Sequence, residues 1–259
     1  MGKMPMLFVG HGTPMNAIED NQYSNTWKRV LKGYEKPKAI LSISAHWYTK
    51  GSYIQKVEEP KQIYDMYGFP KELYELKYPV SGLEELSDRV LELAEEVSVN
   101  NNWGIDHGSW SVLCHIYPEA DIPVVQLSID GDLSLKEHFE LGKKLASLRE
   151  EGILILGSGN ILHNLRDVEW DRKDMTEKGK TFDDTIHDLI QGRDFSSILE
   201  IENNEIFKYA APTPEHFIPL VYILANIDED DEIEVFNRGG EMGSLSMTSY
   251  LIKKGEGRE

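Results

Sequence analysis

Four short apolar runs, Met6 to Val9, Ala39 to Ser44, Pro123 to Ile129 and Ile153 to Leu156, lack the alternation of a strand that has one wet face. Each reads as a strand buried on both sides, which requires helices above and below the sheet and is the habit of parallel α/β proteins. Between them lie helical patterns at Gln22 to Leu31, Leu83 to Glu96, Ser109 to Ile116, Ser134 to Arg149 and Lys180 to Ile190; in the second, Leu83, Leu86, Val90, Leu91 and Leu93 form an apolar stripe between acids. A further apolar stretch, Phe217 to Ile227, follows Thr213-Pro214-Glu215, where a Thr cap and a first-turn Pro suit a helix start, although Pro219 kinks such a helix or delays it. Glu232 to Phe236 and Leu245 to Ile252 read as a strand pair joined by Asn237-Arg238-Gly239-Gly240, antiparallel because the connection is too short for a crossover helix. The expected fold is a single α/β domain over residues 1–259, with a central, mostly parallel (mixed) β-sheet, helices on both faces and an antiparallel C-terminal strand pair.

Composition narrows the partners. Hydrophobic residues make up 40% and charged residues 28%, which supplies a core and gives no case for disorder. A formal net charge of -18 repels phosphate backbones and anionic lipid, so neither nucleic acid nor membrane is expected as a partner. Acidic runs such as Asp228 to Glu232 read as solvated faces. Cys114 is the only cysteine, so a metal site would have to use histidine and carboxylate, and a reducing compartment fits. The opening stretch is too short for a signal peptide and no segment approaches the ~20 apolar residues of a membrane span, so the cytoplasm is the expected location.

The eight histidines fall into two groups. His11, in Gly10-His11-Gly12, follows the first buried strand; His46 follows the second; His163 follows the fourth through Gly157-Ser158-Gly159-Asn160, on what should be the first turns of a helix; His216 lies near another helix start. In an open parallel sheet the ligand site forms outside the carboxyl ends of the strands, so connectivity alone brings three of these to one rim. Neutral imidazole is a common metal ligand, and a helix N-terminus would help keep His163 and His216 neutral. The flanking glycines allow tight turns and close approach over a site. His107 stands before a helix beside Asp106, an acid that could orient its ring. His115, His138 and His187 sit within amphipathic helices and read as structural. Gly157-Ser158-Gly159-Asn160 matches no phosphate-binding fingerprint, and no Gly-x-Ser-x-Gly elbow suggests a serine nucleophile.

These residues also carry a family resemblance. GHGTPMN at Gly10 to Asn16, SAHW at Ser44 to Trp47, DHGSW at Asp106 to Trp110, PVVQLSID at Pro123 to Asp130, GSGNILHNL at Gly157 to Leu165, TPEHFIPL at Thr213 to Leu220 and EMGSLSM at Glu241 to Met247 resemble the class III extradiol ring-cleaving dioxygenases. The likeness is greatest to the single-chain 4,5-DOPA extradiol dioxygenase branch, related to the catalytic subunit of protocatechuate 4,5-dioxygenase, and runs in order over almost the whole chain.

The resemblance implies a catalytic domain in which His11 and His46 bind metal, His163 lies at the metal as a further ligand or as the base, and TPEH supplies the remaining ligand through His216. Ring-cleaving relatives use two histidines and a glutamate on Fe(II), so Glu215 and Glu241 stand as rival carboxylates. It further implies a small catechol substrate and dioxygen, with Fe(II) needed for activity and Zn(II) expected in the isolated protein, since an imidazole-rich site suits zinc. His163 would take a hydroxyl proton from the catechol, and His107 would donate a proton or a hydrogen bond; the product would be a semialdehyde acid. The alternatives are a zinc-dependent hydrolase acting through metal-bound water, and a metal-binding protein without catalysis.

Overall fold

The computed structural model describes residues 2–255. Ten strands and nine α-helices run in the order β1 (Met6–Gly10), α1 (Gln22–Val30), β2 (Ala39–Thr49), β3 (Ser52–Ile54), α2 (Lys71–Glu75), α3 (Glu84–Leu93), β4 (Val97–Val99), α4 (His107–Ile116), β5 (Val124–Asp130), α5 (Leu135–Lys144), β6 (Ile153–Gly159), α6 (Glu177–Gln191), α7 (Phe195–Leu199), α8 (Glu205–Ala210), α9 (Ile218–Leu224), β7 (Asp231–Phe236), β8 (Gly240–Glu241), β9 (Leu245–Ser246) and β10 (Ser249–Lys254) among these residues. Eight strands form one mixed sheet in the order β4-β3-β5-β2-β6-β1-β10-β7, and β8 with β9 forms a separate small sheet. The central block β5-β2-β6-β1 is parallel throughout, so four carboxyl ends share one rim.

Burial on both faces explains the unbroken apolar runs. In β1, Met6 and Phe8 enter one core while Leu7 and Val9 enter the other; Ala39, Leu41 and Ile43 oppose Ile40 in β2, and Ile153 and Ile155 oppose Leu154 and Leu156 in β6. Residues from α3, α5, α6 and α9 fill the first core, and α1 and α4 fill the second with Trp27 and Trp110. The helices start where capping chemistry lets them. Asn21 and Ser134 form capping boxes at α1 and α5, and the Thr176 hydroxyl accepts from the Gly179 N–H at α6.

Four sequence expectations are corrected. β2 does not stop at Ser44: it continues to Thr49 through a register shift between Ile43 and Tyr48, so His46 lies within an irregular strand rather than after it. β6 likewise continues through Gly157, Ser158 and Gly159, where the glycines in the sequence point to a loop. The chain after β6 is not helical at His163; α6 starts only at Glu177, and His163 instead donates its backbone N–H to the Ala210 carbonyl and bridges Leu245. In the tail the antiparallel pair is β7 with β10, but Leu245–Ser246 belongs to the small sheet, and residues 237–248 connect the pair. Pro219 does delay its helix, since α9 begins at Ile218 behind a 3-10 turn at Pro214–His216.

Candidate metal centre

The rim of β2, β6 and β1 gathers five histidines around a cavity of about 350 Å³ lined by His11, His46, His107, His163 and His216, with Asp65 and Glu215 beside them. His11 is the first residue beyond β1, and its N–H is held by the Gly159 carbonyl. Gly12 follows at φ 61°, a left-handed turn that glycine adopts without strain. His216 reaches the rim because its turn packs directly on β6: the Asn160 N–H bonds the His216 carbonyl at 2.8 Å. A Cβ at Gly159 would stand 2.1 Å from that carbonyl oxygen, so glycine is required there by close approach.

Each ring is held by its outer nitrogen. The Ser158 hydroxyl donates to the Gly108 carbonyl, so it can only accept from His11 Nδ1, 3.0 Å away. Asp65 Oδ2 lies 3.0 Å from His46 Nδ1, and Glu215 Oε1 lies 3.1 Å from His216 Nδ1. A carboxylate only accepts, so His216 Nδ1 carries the proton and its Nε2 is left bare; at His46 the carboxylate, at ion-pair distance without an aligned hydrogen bond, favours the same tautomer through its charge. The Nε2 atoms of His11 and His46 face each other at 3.2 Å, and Nε2 of His216 is buried with no protein partner. One nitrogen from each of the three rings lies within 4.8 Å of the others.

Electrostatics favour neutral rings at His11 and His216. Burial comes first in both, followed by the charges of neighbouring histidines, and their pKa values fall well below the ordinary one. At His46, burial is outweighed by Asp65 and Asp106, and the value rises. Asp65 is held well below the usual carboxylate range by His107 and His46, against the effect of burial. His163 is pushed down to about 3 by burial and then by His46 and His107, so no helix N-terminus is needed to keep it neutral.

The structure brings together His11, His46 and His216. His163 stacks on His216 with ring centroids 3.4 Å apart, and one of its ring nitrogens groups with a carboxylate oxygen of Glu215 and a ring nitrogen of His216. His107 lies 3.9 Å from the His46 ring, centroid to centroid. Its partner is not Asp106, as its position in the sequence suggested: that carboxylate turns away to Ser44, Trp103 and Gln126, while Asp65 Oδ1 lies 3.0 Å from His107 Nδ1. Of the rival carboxylates, Glu215 braces His216 from behind, and Glu241 joins no potential metal group among the described residues. Asp65 was missed in the sequence, where Tyr64-Asp65-Met66-Tyr67-Gly68 reads only as a polar turn. The helical histidines are structural in their contacts: His115 bonds the Asn16 carbonyl, His138 the Tyr222 hydroxyl and His187 the Tyr250 hydroxyl.

The fold and the rim define an α/β protein whose convergent imidazoles are fitted to hold a metal ion. Comparison with known proteins makes the class specific: residues 5–253 match the family described as the catalytic LigB subunit of aromatic ring-opening dioxygenase. The chain belongs to that family, a family of ring-opening oxidoreductases. It is 42% identical over 260 residues to a 4,5-DOPA dioxygenase extradiol of Escherichia coli (strain K12), covering 96% of this chain and 95% of that one. A Beta vulgaris protein of the same description is 36% identical, with 94% of each chain covered. The crystal structure of an uncharacterized protein from Escherichia coli K12 superposes with a TM-score of 0.82 at 38% identity, over 96% of this chain and all of that one.

Proposed function

We propose that the chain is a metal-dependent extradiol dioxygenase that opens a catechol-type ring with dioxygen to give a semialdehyde acid. The observation that carries this reading is the set of three inward-facing, bare Nε2 atoms on His11, His46 and His216. Two of them, 3.2 Å apart, would repel each other unless a cation or a proton stood between them. That separation is close to what two nitrogen ligands at about 2.0–2.1 Å from one ion subtend. The donor set therefore fits a divalent metal, with His11, His46 and His216 to hold it. Fe(II) bound there would supply Lewis acidity toward the catechol oxygens and the electrons that dioxygen activation requires, whereas zinc has no redox step to offer.

The remaining side chains position the substrate and accept its proton. His163 faces the cavity as a neutral ring, which suits it to accept a catechol hydroxyl proton. His107, with Nδ1 beside Asp65, turns Nε2 to the cavity, where it can accept a hydrogen bond from the substrate. Met66, Phe69, Leu165, Val168 and Leu245 line the rest of the cavity and keep water from the reacting ring. The names of the Escherichia coli and Beta vulgaris relatives support a DOPA-like catechol as substrate.

The test is anaerobic removal of metal, reloading with Fe(II), and an oxygen-electrode screen of catechols. The expected result is oxygen uptake with a yellow product from the iron form alone. Iron-loaded protein that binds catechols yet consumes no oxygen, while the zinc form hydrolyses esters or amides, would overturn the reading.

A further inference from the structure

The loop between β3 and α2 sends one carboxylate into the rim, and its two oxygens divide their work. Asp65 Oδ2 lies 3.0 Å from Nδ1 of His46, while Oδ1 lies 3.0 Å from Nδ1 of His107 and accepts the His107 backbone N–H at 3.1 Å. The two ring contacts are at ion-pair distance but off the N–H axis, so they act through charge more than through aligned hydrogen bonds. The backbone contact also serves α4, whose own cap residue Asp106 makes no side-chain cap bond.

The loop is anchored on both sides before it reaches the rim. Ile63 N–H bonds the Ile105 carbonyl at 2.9 Å, Trp110 Nε1 donates to the Ile63 carbonyl at 2.8 Å, and the Tyr64 hydroxyl donates to the Leu76 carbonyl at 2.7 Å. Asp65 is thus held in place by backbone and aromatic contacts that involve neither histidine. A carboxylate fixed in this way can determine the tautomer and tilt of the rings it faces rather than follow them.

We infer that Asp65 is a positioning residue that sets two histidines with different duties from one side chain, keeping both Nδ1 atoms protonated so that His46 presents a bare Nε2 to the metal and His107 presents Nε2 to the substrate. The inference rests on the proposed duties of His46 and His107. It predicts that metal affinity and the hydrogen bonding of substrate by His107 fail together when the carboxylate is altered, although the two histidines stand 42 and 19 residues from Asp65 in opposite directions along the chain.

The test compares wild type with Asp65→Asn and Asp65→Glu. Long-range nitrogen-proton NMR of the metal-free proteins reads the tautomers directly. Wild type should show His46 and His107 protonated at Nδ1, and Asp65→Asn, whose amide offers one acceptor oxygen instead of two, should mix the forms at one ring or both. Zinc affinity by competition with a chromophoric chelator should fall about 10–100-fold in Asp65→Asn. With Fe(II) and 4-methylcatechol, kcat should fall while KM changes little, and Asp65→Glu should recover part of both losses. Unchanged tautomers together with unchanged zinc affinity in Asp65→Asn would overturn the inference. Absence of catechol turnover in iron-loaded wild type would instead strike at the proposed function, leaving the tautomer and zinc measurements to decide the role of Asp65.

Discussion

Ser158 fixes His11 from within a strand: its hydroxyl donates to the Gly108 carbonyl and so leaves only its lone pairs for His11 Nδ1 at 3.0 Å. The ring is thereby locked with its proton outward and its Nε2 toward His46. Replacing Ser158 by Ala frees the tautomer and leaves a buried N–H without an acceptor. Metal affinity should drop about 10–100-fold with the fold retained, measured by chelator competition and circular dichroism. Wild-type affinity in Ser158→Ala would show that the hydroxyl does not orient the ring.

A His163 variant tests whether holding metal and using it are separate duties. If it is the base, His163→Ala should cost about 100-fold to 10,000-fold in kcat while metal content stays near that of the wild type, because His11, His46 and His216 still converge. Loss of the metal along with activity would make His163 a ligand first.

Gly159 is a spacing residue. Its Ala variant places a methyl group 2.1 Å from the His216 carbonyl, which the backbone must relieve by moving the turn at Pro214–His216. Overpacking of this kind costs about 1–3 kcal/mol. The expected outcome is a folded protein with a modestly lowered urea midpoint and sharply reduced metal content. Wild-type metal content would mean that the rim absorbs the methyl without displacing His216.

Charge at the cavity mouth sets a preference among catechols. Asp65 and Glu215 line the cavity and, among the described residues, no Lys or Arg does, while Tyr67 and Trp170, 89% and 74% exposed, stand at its edge. A substituent carboxylate without a compensating ammonium meets like charge there, at a cost of about 1 kcal/mol or more near a surface. With iron-loaded enzyme, 4-ethylcatechol and dopamine should exceed 3,4-dihydroxyphenylacetate in kcat/KM by roughly tenfold. Trp170→Ala should raise KM for the uncharged ring. Equal or better turnover of the carboxylated compound would show that the lining does not select by charge.

Two buried groups away from the rim pull stability in opposite directions with pH. Burial pushes His138 down to about 4, so between that value and 6.5 the unfolded chain binds the extra proton and stability falls as pH drops. Burial raises Asp183 to about 6 from 3.8, against the hydrogen bonds of Ser246 and Thr248, so over that span the folded chain binds the extra proton and stability falls as pH rises. His138→Gln should therefore lessen acid destabilisation of the metal-free protein and Asp183→Asn should sharpen it, read from urea midpoints across the window. The same slope in both variants and wild type would dismiss both groups as its source.

The four central strands were legible because burial on both faces leaves an unbroken apolar run, a signal that needs no tertiary knowledge. Their carboxyl extensions were not. Gly157 to Gly159 have poor strand propensity and are strand only because β1 and β2 flank them, and the irregular end of β2 is set by its pairing with β5. Four site histidines announced themselves by following strands or opening helices. Asp65 could not, since nothing local distinguishes a turn acid aimed at two rings from one aimed at water. Asp106 misled for the same reason: adjacency to His107 in sequence says nothing about where its carboxylate points.

The position of β10 bears on when the site can exist. This strand is synthesised after every other strand of the sheet, yet it pairs with β1, the strand that ends one residue before His11. Until β10 inserts between β1 and β7, the first strand lacks a neighbour on that side, and His216 too emerges only after most of the sheet. A nascent chain thus offers an ion two imidazoles on an unfinished scaffold. The three imidazoles proposed to hold a metal therefore meet only in the assembled sheet.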